Sequence, residues 1–306
     1  MKPLRMLSGC RRRRAGSSLV LLAVLFVGFS DRRAAAEVPD SPFAAHNAYP
    51  WRFYGGERLH RALKAGLKHI ELDLTYDPKR EAVVVTHDSE PRGGEPTLGE
   101  LLEPVCKQWG AADDDGYTLI LDFKTSSLEL ARGVHTELAK HADLLSKMPK
   151  RDLTRFIPGK ITVCLTGNSA GHRAYLEQVA GDGQLLAFGD YQAVDWRADT
   201  ALYVPTEPAG FVRFVTYHQR VFMDSAKAHG NDHISAKRLE EVVRLANERG
   251  YRMRIYTLNP LRSGEGRDYR YWEACATAGV PMIATDAYEL SAKWWAQRLA
   301  KAGAER

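Results

Sequence analysis

One stretch constrains this chain more than any other: Lys68-His69-Ile70-Glu71-Leu72-Asp73-Leu74-Thr75. It alternates like a β-strand, in which successive side chains point to opposite faces, so Ile70, Leu72 and Leu74 share one face and Glu71 and Asp73 the other. The apolar face can pack under helices. The acidic face needs a partner, because ionised carboxylates taken out of water are costly unless they bind a cation or ion-pair. On this stretch alone two readings stand, a site for a hard metal ion or the solvated face of an edge strand.

The rest of the chain favours the first. Short apolar runs alternate with helix-patterned stretches throughout, as in βα units around a parallel sheet. Phe43-Ala44-Ala45 reads as a strand ending at His46-Asn47, Leu59 to Ala65 as a helix, Ala82 to Thr86 as a β-run ending at His87-Asp88, and Thr118 to Lys124 as a strand. A helix is expected to begin at Ser126, with Glu129 completing a capping box. Further strands are expected at Lys160 to Leu165, Leu185 to Phe188, Phe211 to Thr216, Arg252 to Leu258 and Pro281 to Ala284, with helices at Ala236 to Arg249 and Tyr271 to Ala278, each followed by a glycine. About eight strands result, and the α/β fold expected is a single (β/α)8 TIM-type barrel. In such barrels chemistry sits at the carboxyl ends of the strands, where His46, Glu71, Asp73, His87, Asp122 and Lys124 all fall.

Composition matters mainly at the N-terminus. Lys2, Arg5 and Arg11 to Arg14 precede an apolar stretch from Leu19 to Phe29 and then Ala34-Ala35-Ala36, the pattern of a secretory signal, with an apolar stretch too short to span a bilayer. The expected division is therefore an export signal over 1–36 and one barrel domain over 37–306, with periplasmic or extracellular localisation. Residues 1–36 carry eight Lys/Arg and one Asp, so removing them turns the net charge from +5 to −2. Nucleic-acid binding loses its support with that change. Cys106, Cys164 and Cys275 are too few and too scattered for a zinc site or a disulfide framework, and one bridge among them stays open.

Six motifs then carry a resemblance. Ala45-His46-Asn47-Ala48-Tyr49, Ala62-Leu63 and Gly66 leading into Ile70-Glu71-Leu72-Asp73, Val84-Val85-Thr86-His87-Asp88, Ile120-Leu121-Asp122-Phe123-Lys124, Arg254 to Asn259 and Gly279 to Asp286 resemble the phospholipase-C-like phosphodiesterases. That superfamily includes glycerophosphodiester phosphodiesterases and phosphatidylinositol-specific phospholipases C. Where the glycerophosphodiesterases have His-Arg-Gly, this chain has His46-Asn47, which looks more like the eukaryotic phospholipase C motif and a fungal branch named for altered inheritance of mitochondria. The resemblance runs from Phe43 to about Glu289.

It implies an exported phosphoric diester hydrolase acting on a glycerophosphodiester or a phospholipid head group. Breaking a phosphodiester requires neutralising charge on the phosphoryl oxygens, activating a nucleophile and protonating a leaving alkoxide. Glu71, Asp73 and Asp122, with the amide oxygen of Asn47, form an all-oxygen set suited to Ca²⁺, preferred here, or Mg²⁺. Lys124 would place a positive charge on the phosphate. His46 would be the base on the nucleophile, a substrate hydroxyl or water, and His87 the acid on the leaving oxygen. Arg254 and Tyr256 share a strand face and would bind substrate. No protein partner is implied.

Other features keep a plain reading beside a functional one. Asp113-Asp114-Asp115-Gly116 reads as a solvated turn, since the full calcium loop is missing. Asp286 is either a family motif residue or a helix cap. Trp294-Trp295, among Lys293, Arg298 and Lys301, either pack a terminal helix or touch a membrane surface. Two rival functions stand, a sphingomyelinase-D-like phospholipase and a secreted binding barrel without turnover.

Overall fold

A computed structural model of the chain describes residues 40–50, 57–192, 204–206, 208–222, 235–256, 258–263 and 266–304. The export signal expected over 1–36, Thr257, and much of the stretch from Tyr203 to His233 lie outside these residues.

The strands in chain order are β1 (Phe43–Ala45), β2 (His69–Asp77), β3 (Ala82–Val85), β4 (Tyr117–Phe123), β5 (Ile161–Gly167), β6 (Phe188–Gln192), β7 (Val212–His218), β8 (Arg252–Tyr256) and β9 (Met282–Thr285). The helices are α1 (Arg58–Lys64), α2 (Leu98–Ala111), α3 (Leu128–Ala139), α4 (Ser169–Gln178), α5 (Ala236–Glu248), α6 (Arg270–Thr277) and α7 (Tyr288–Ala304). All strands but β3 are parallel to their neighbours, and the pairing of β1 with both β9 and β2 closes them into an eight-stranded barrel. Closure removes the unpaired sheet edges that invite association.

The barrel core follows from the alternation in the strands. Ile70, Leu72 and Leu74 of β2 and Leu119, Leu121 and Phe123 of β4 are buried against the helices. Parallel strands buried on both faces usually read as continuous apolar runs. Here the inward face instead carries Glu71, Asp73, Asp122, Thr166, Arg254 and their neighbours, so the interior is polar. Where β1 meets the last two helices, the Phe43 ring lies 4.7 Å from Trp272 and 5.7 Å from Trp294. Trp294 therefore packs the terminal helix. The three described cysteines are buried and unbridged.

Three sequence expectations are corrected. The run at Ala82 to Thr86 is not a barrel strand: β2 continues past the barrel, and its end, Leu74 to Asp77, pairs antiparallel with β3. Helix α3 is capped by Ser127, whose side chain accepts from Leu130 N, and not by Ser126 with Glu129. The capping box instead opens α2, where Thr97 and Glu100 satisfy each other's backbone donors. Leu185 to Phe188 also divides, Gln184–Leu185 pairing outside the barrel with Met148–Pro149 while β6 begins at Phe188. The helix-ending glycines, Gly250 and Gly279, fall where expected.

Gly167 ends β5 at φ +83°, and a Cβ there would collide with Asp122 Oδ1 and lie 2.6 Å from the Phe123 carbonyl oxygen. Gly167→Ala is therefore expected to cost about 1–3 kcal/mol in denaturant unfolding, the range for a non-glycine residue forced into that conformation. It should also displace Asp122. Unchanged stability would show that the turn relaxes freely.

Candidate active site

Every residue singled out from the sequence for chemistry lines one cavity of about 320 Å³ at the carboxyl ends of the strands. The backbone explains why. Asp73 and Asp122 stand opposite each other in the β2–β4 register, and Asp122 opposite Thr166 in β4–β5. His46 and Asn47 leave β1 in a turn in which Asn47 takes φ +53°, held by His46 N donating to the Thr285 carbonyl and Ala48 N to the Glu71 carbonyl. The β2–β3 hairpin then returns the chain to the mouth, where Thr86 N donates to the Asp73 carbonyl, and His87 follows at the rim. Lys124 N donates to the Leu74 carbonyl just beyond β4.

Three carboxylates converge, with oxygens of Glu71, Asp73 and Asp122 within 4.8 Å of one another. Two cations answer them. Arg254 Nη2 lies 2.5 Å from Glu71 Oε2, and Lys124 Nζ lies 2.6 Å from Asp73 Oδ2 and 3.2 Å from Asp122 Oδ1. Burial would raise the Glu71 carboxyl, but Arg254 and His46 outweigh it and hold the group ionised. Asp73 is pushed up to about 7 by burial, with Asp122 and Glu71 adding to the rise against Lys124. Tyr49 Oη donates to Asp73 Oδ2 at 2.7 Å, and the Asn47 side-chain oxygen lies 3.2 Å from the same hydroxyl. The other Asp73 oxygen, Oδ1, is buried with no hydrogen-bond partner. An orphaned carboxylate oxygen among hard oxygen donors fits a divalent cation such as Ca²⁺ or Mg²⁺.

The two histidines are held differently. His46 Nδ1 lies 3.3 Å from Asp286 Oδ1, and Nε2 faces Glu71 Oε2 at 3.9 Å. Burial would lower the His46 pKa, but Glu71 and Asp286 raise it overall. Asp286 is itself held at about 2: burial would raise it, and His46, Asn259 and Arg58 overcome that. Arg58 Nη2 donates to Asp286 Oδ1 at 2.7 Å and to the His46 carbonyl at 2.9 Å, and Asn259 Nδ2 to Asp286 Oδ2 at 2.8 Å. His87, more exposed, is lowered by burial and by Lys124. In the free protein His46 therefore keeps a proton to higher pH than His87, whereas the resemblance makes His46 the base.

Arg254 and Tyr256 do face the cavity, but Arg254 is only 2% exposed and is committed to Glu71. Thr166 and Gln192 line the far side, Gln192 Nε2 donating to Thr166 Oγ1 and Thr166 Oγ1 to Asp190 Oδ2, both at 2.7 Å. Sequence reasoning missed Tyr49, Arg58, Thr166, Asp190, Gln192 and Asn259, and left Asp286 between two roles. Tyr49, Asn259 and Asp286 fall inside the motifs already quoted, yet nothing in spacing joins Asn259 to Asp286 or either to His46. Asp114 pairs with Lys68 on the opposite end of the barrel and belongs to an exposed turn.

No protein-family model matches the chain, and no curated protein matches it. Among solved structures, a Ca²⁺-dependent phosphatidylinositol-specific phospholipase C from Streptomyces antibioticus is similar over 81% of this chain and 94% of its own, at 15% identity and TM-score 0.48. PLC21 of L. pealei is similar over 80% of this chain at 14% identity and TM-score 0.40, and the chain spans about a third of its length, 33%.

The His46 environment carries a checkable sign. A folded-state pKa above the unfolded value means stabilisation present at low pH and lost as pH rises through the folded pKa. Removing the Asp286 charge in Asp286→Asn is expected to lower the His46 pKa, read from the ring resonances by NMR titration. An unmoved or raised His46 pKa would break the link.

Proposed function

We propose that the chain is an exported, divalent-cation-dependent phosphoric diester hydrolase of the phospholipase-C-like kind, acting on a glycerophosphodiester or a phospholipid head group. The observation that carries this reading is the gathering of His46, His87, Lys124 and the three carboxylates around one cavity. Export rests on the signal pattern of residues 1–36 alone.

Glu71, Asp73 and Asp122, with the Asn47 amide oxygen beside them, would hold the cation, which supplies fixed positive charge for the phosphoryl oxygens. Ca²⁺ is preferred to Mg²⁺ because a neutral amide oxygen suits its larger, more flexible shell. Lys124 presents its ammonium at the same point and orients a phosphoryl oxygen. Arg254 keeps Glu71 ionised. His46, steadied by Asp286 through Nδ1, takes the proton of the attacking hydroxyl, from the substrate or from water, at Nε2. His87, at the rim, gives its proton to the departing oxygen.

The mature protein is expected to cleave a phosphodiester, to lose that activity on chelation and to regain it with Ca²⁺ more than with Mg²⁺. Metal binding with no turnover on any diester would overturn the reading. His46→Ala and His87→Ala should each cost about 10²–10⁴-fold on a substrate with an alkyl leaving group. A p-nitrophenyl leaving group needs no acid, so it should restore His87→Ala but not His46→Ala. Rescue of His46→Ala instead would exchange the two roles.

A further inference from the structure

Two arginines two residues apart, Arg252 and Arg254, reach inward from the same face of β8. Arg254 meets Glu71 and is neutralised. Arg252, nearer the amino ends of the strands, reaches toward β4 on the opposite side of the ring, where its Nη1 donates to Thr118 Oγ1 at 3.0 Å. Thr118 is neutral, and among the described residues Arg252 forms no ion pair. Burial lowers its pKa with no carboxylate to restore it. Arg252 is partly buried, and a guanidinium half out of water with no carboxylate partner can take an anion.

Beside it stands His69, the residue opposite Thr118 in the β2–β4 register. His69 is 5% exposed, and its Nδ1 is buried without a hydrogen-bond partner. Both residues line a cavity of about 360 Å³ at the end of the barrel away from the catalytic mouth. Lys68, at its edge, is already balanced by Asp40 at 2.8 Å and Asp114 at 3.4 Å. Of the charged residues lining the cavity, Asp40 and Lys68 pair with each other, and among the described residues Arg252 is left without an ion pair.

We propose that this floor of the barrel is a second, anion-binding site that takes a phosphate group against Arg252 and His69, as the free ion or as the phosphate of a small monoester. The guanidinium offers a planar fork of donors from β8, and the His69 ring a donor from a different strand. Donors arriving from separate directions suit a tetrahedral oxyanion better than a planar carboxylate. The site is independent of the hydrolase reading, since it shares no residue with the catalytic cavity.

The test is NMR of the histidine rings in the full mature chain as inorganic phosphate is added, with glycerol 3-phosphate in parallel. At fixed pH the His69 ring resonances are expected to shift saturably as the ring meets the bound anion. Arg252→Gln should abolish the shift, and Arg252→Lys should weaken it without removing it. A response to inorganic phosphate alone identifies the free ion as ligand; a response to both identifies the phosphate group. No His69 response in the unaltered protein, which needs no variant to fold, would overturn the proposal. So would an equal response in Arg252→Gln.

Discussion

The buried pair of Glu71 and Arg254 is the interaction on which the rest of this barrel depends. Both residues are 2% exposed, and their side chains meet at 2.5 Å in the middle of the barrel. Ionising a carboxylate there without a partner would be prohibitive, and breaking such a pair typically costs about 3–5 kcal/mol. With Arg254 in place Glu71 stays charged, and that charge reaches the mouth: it lies 3.9 Å from His46 Nε2 and is the largest influence raising the His46 pKa against burial. A pair that makes a polar interior tolerable thus also helps to set the protonation of His46 at the candidate site.

The second constraint is the hairpin. A regular βα unit would send the chain from the end of β2 straight into a helix on the outside of the barrel. Here β2 runs on to Asp77, turns, and comes back as β3, so that Thr86 N bonds the Asp73 carbonyl and His87 lands at the mouth. The cavity gains a titratable group that no barrel strand supplies. Burial lowers both histidines, but Glu71 and Asp286 overcome it at His46, whereas at the more exposed His87 Lys124 adds to it, and these neighbouring charges drive the two pKa values apart. In the free protein this order is the reverse of the base and acid roles proposed for His46 and His87, so those roles require the bound cation and substrate to change it.

What was legible in the sequence was local. Period-two alternation put Glu71 with Asp73 and Asp122 with Lys124 on shared faces, and parallel register did the remaining work of bringing the two strands' carboxylates together. What was not legible was pairing at a distance. Glu71 and Arg254 are 183 residues apart and Arg58 and Asp286 are 228 apart, and no spacing rule connects either pair. The Ala82 to Thr86 run is equally apolar whether it pairs parallel or antiparallel, so its place outside the barrel needed the fold. Ser126 and Ser127 are neighbours with the same capping chemistry, and only backbone geometry selects the second.

The charge count at the mouth bears on the cation proposed for it. Three carboxylates face two cations, Arg254 and Lys124, so with all five ionised and His46 neutral the cavity carries one net negative charge and would repel a phosphodiester anion. The protein's own relief is protonation: Asp73, pushed up to about 7 by burial and by its acidic neighbours, holds a proton at a pH where an ordinary aspartate has long lost it. That relief neutralises the site without making it attractive to an anion. A divalent cation among the same oxygens would favour the ionised form of Asp73, giving its buried Oδ1 the partner it lacks, and would leave the mouth positive overall. The same acidic cluster that repels an anion by itself is, on this reasoning, what would reverse the sign of the field at the mouth once it held a cation.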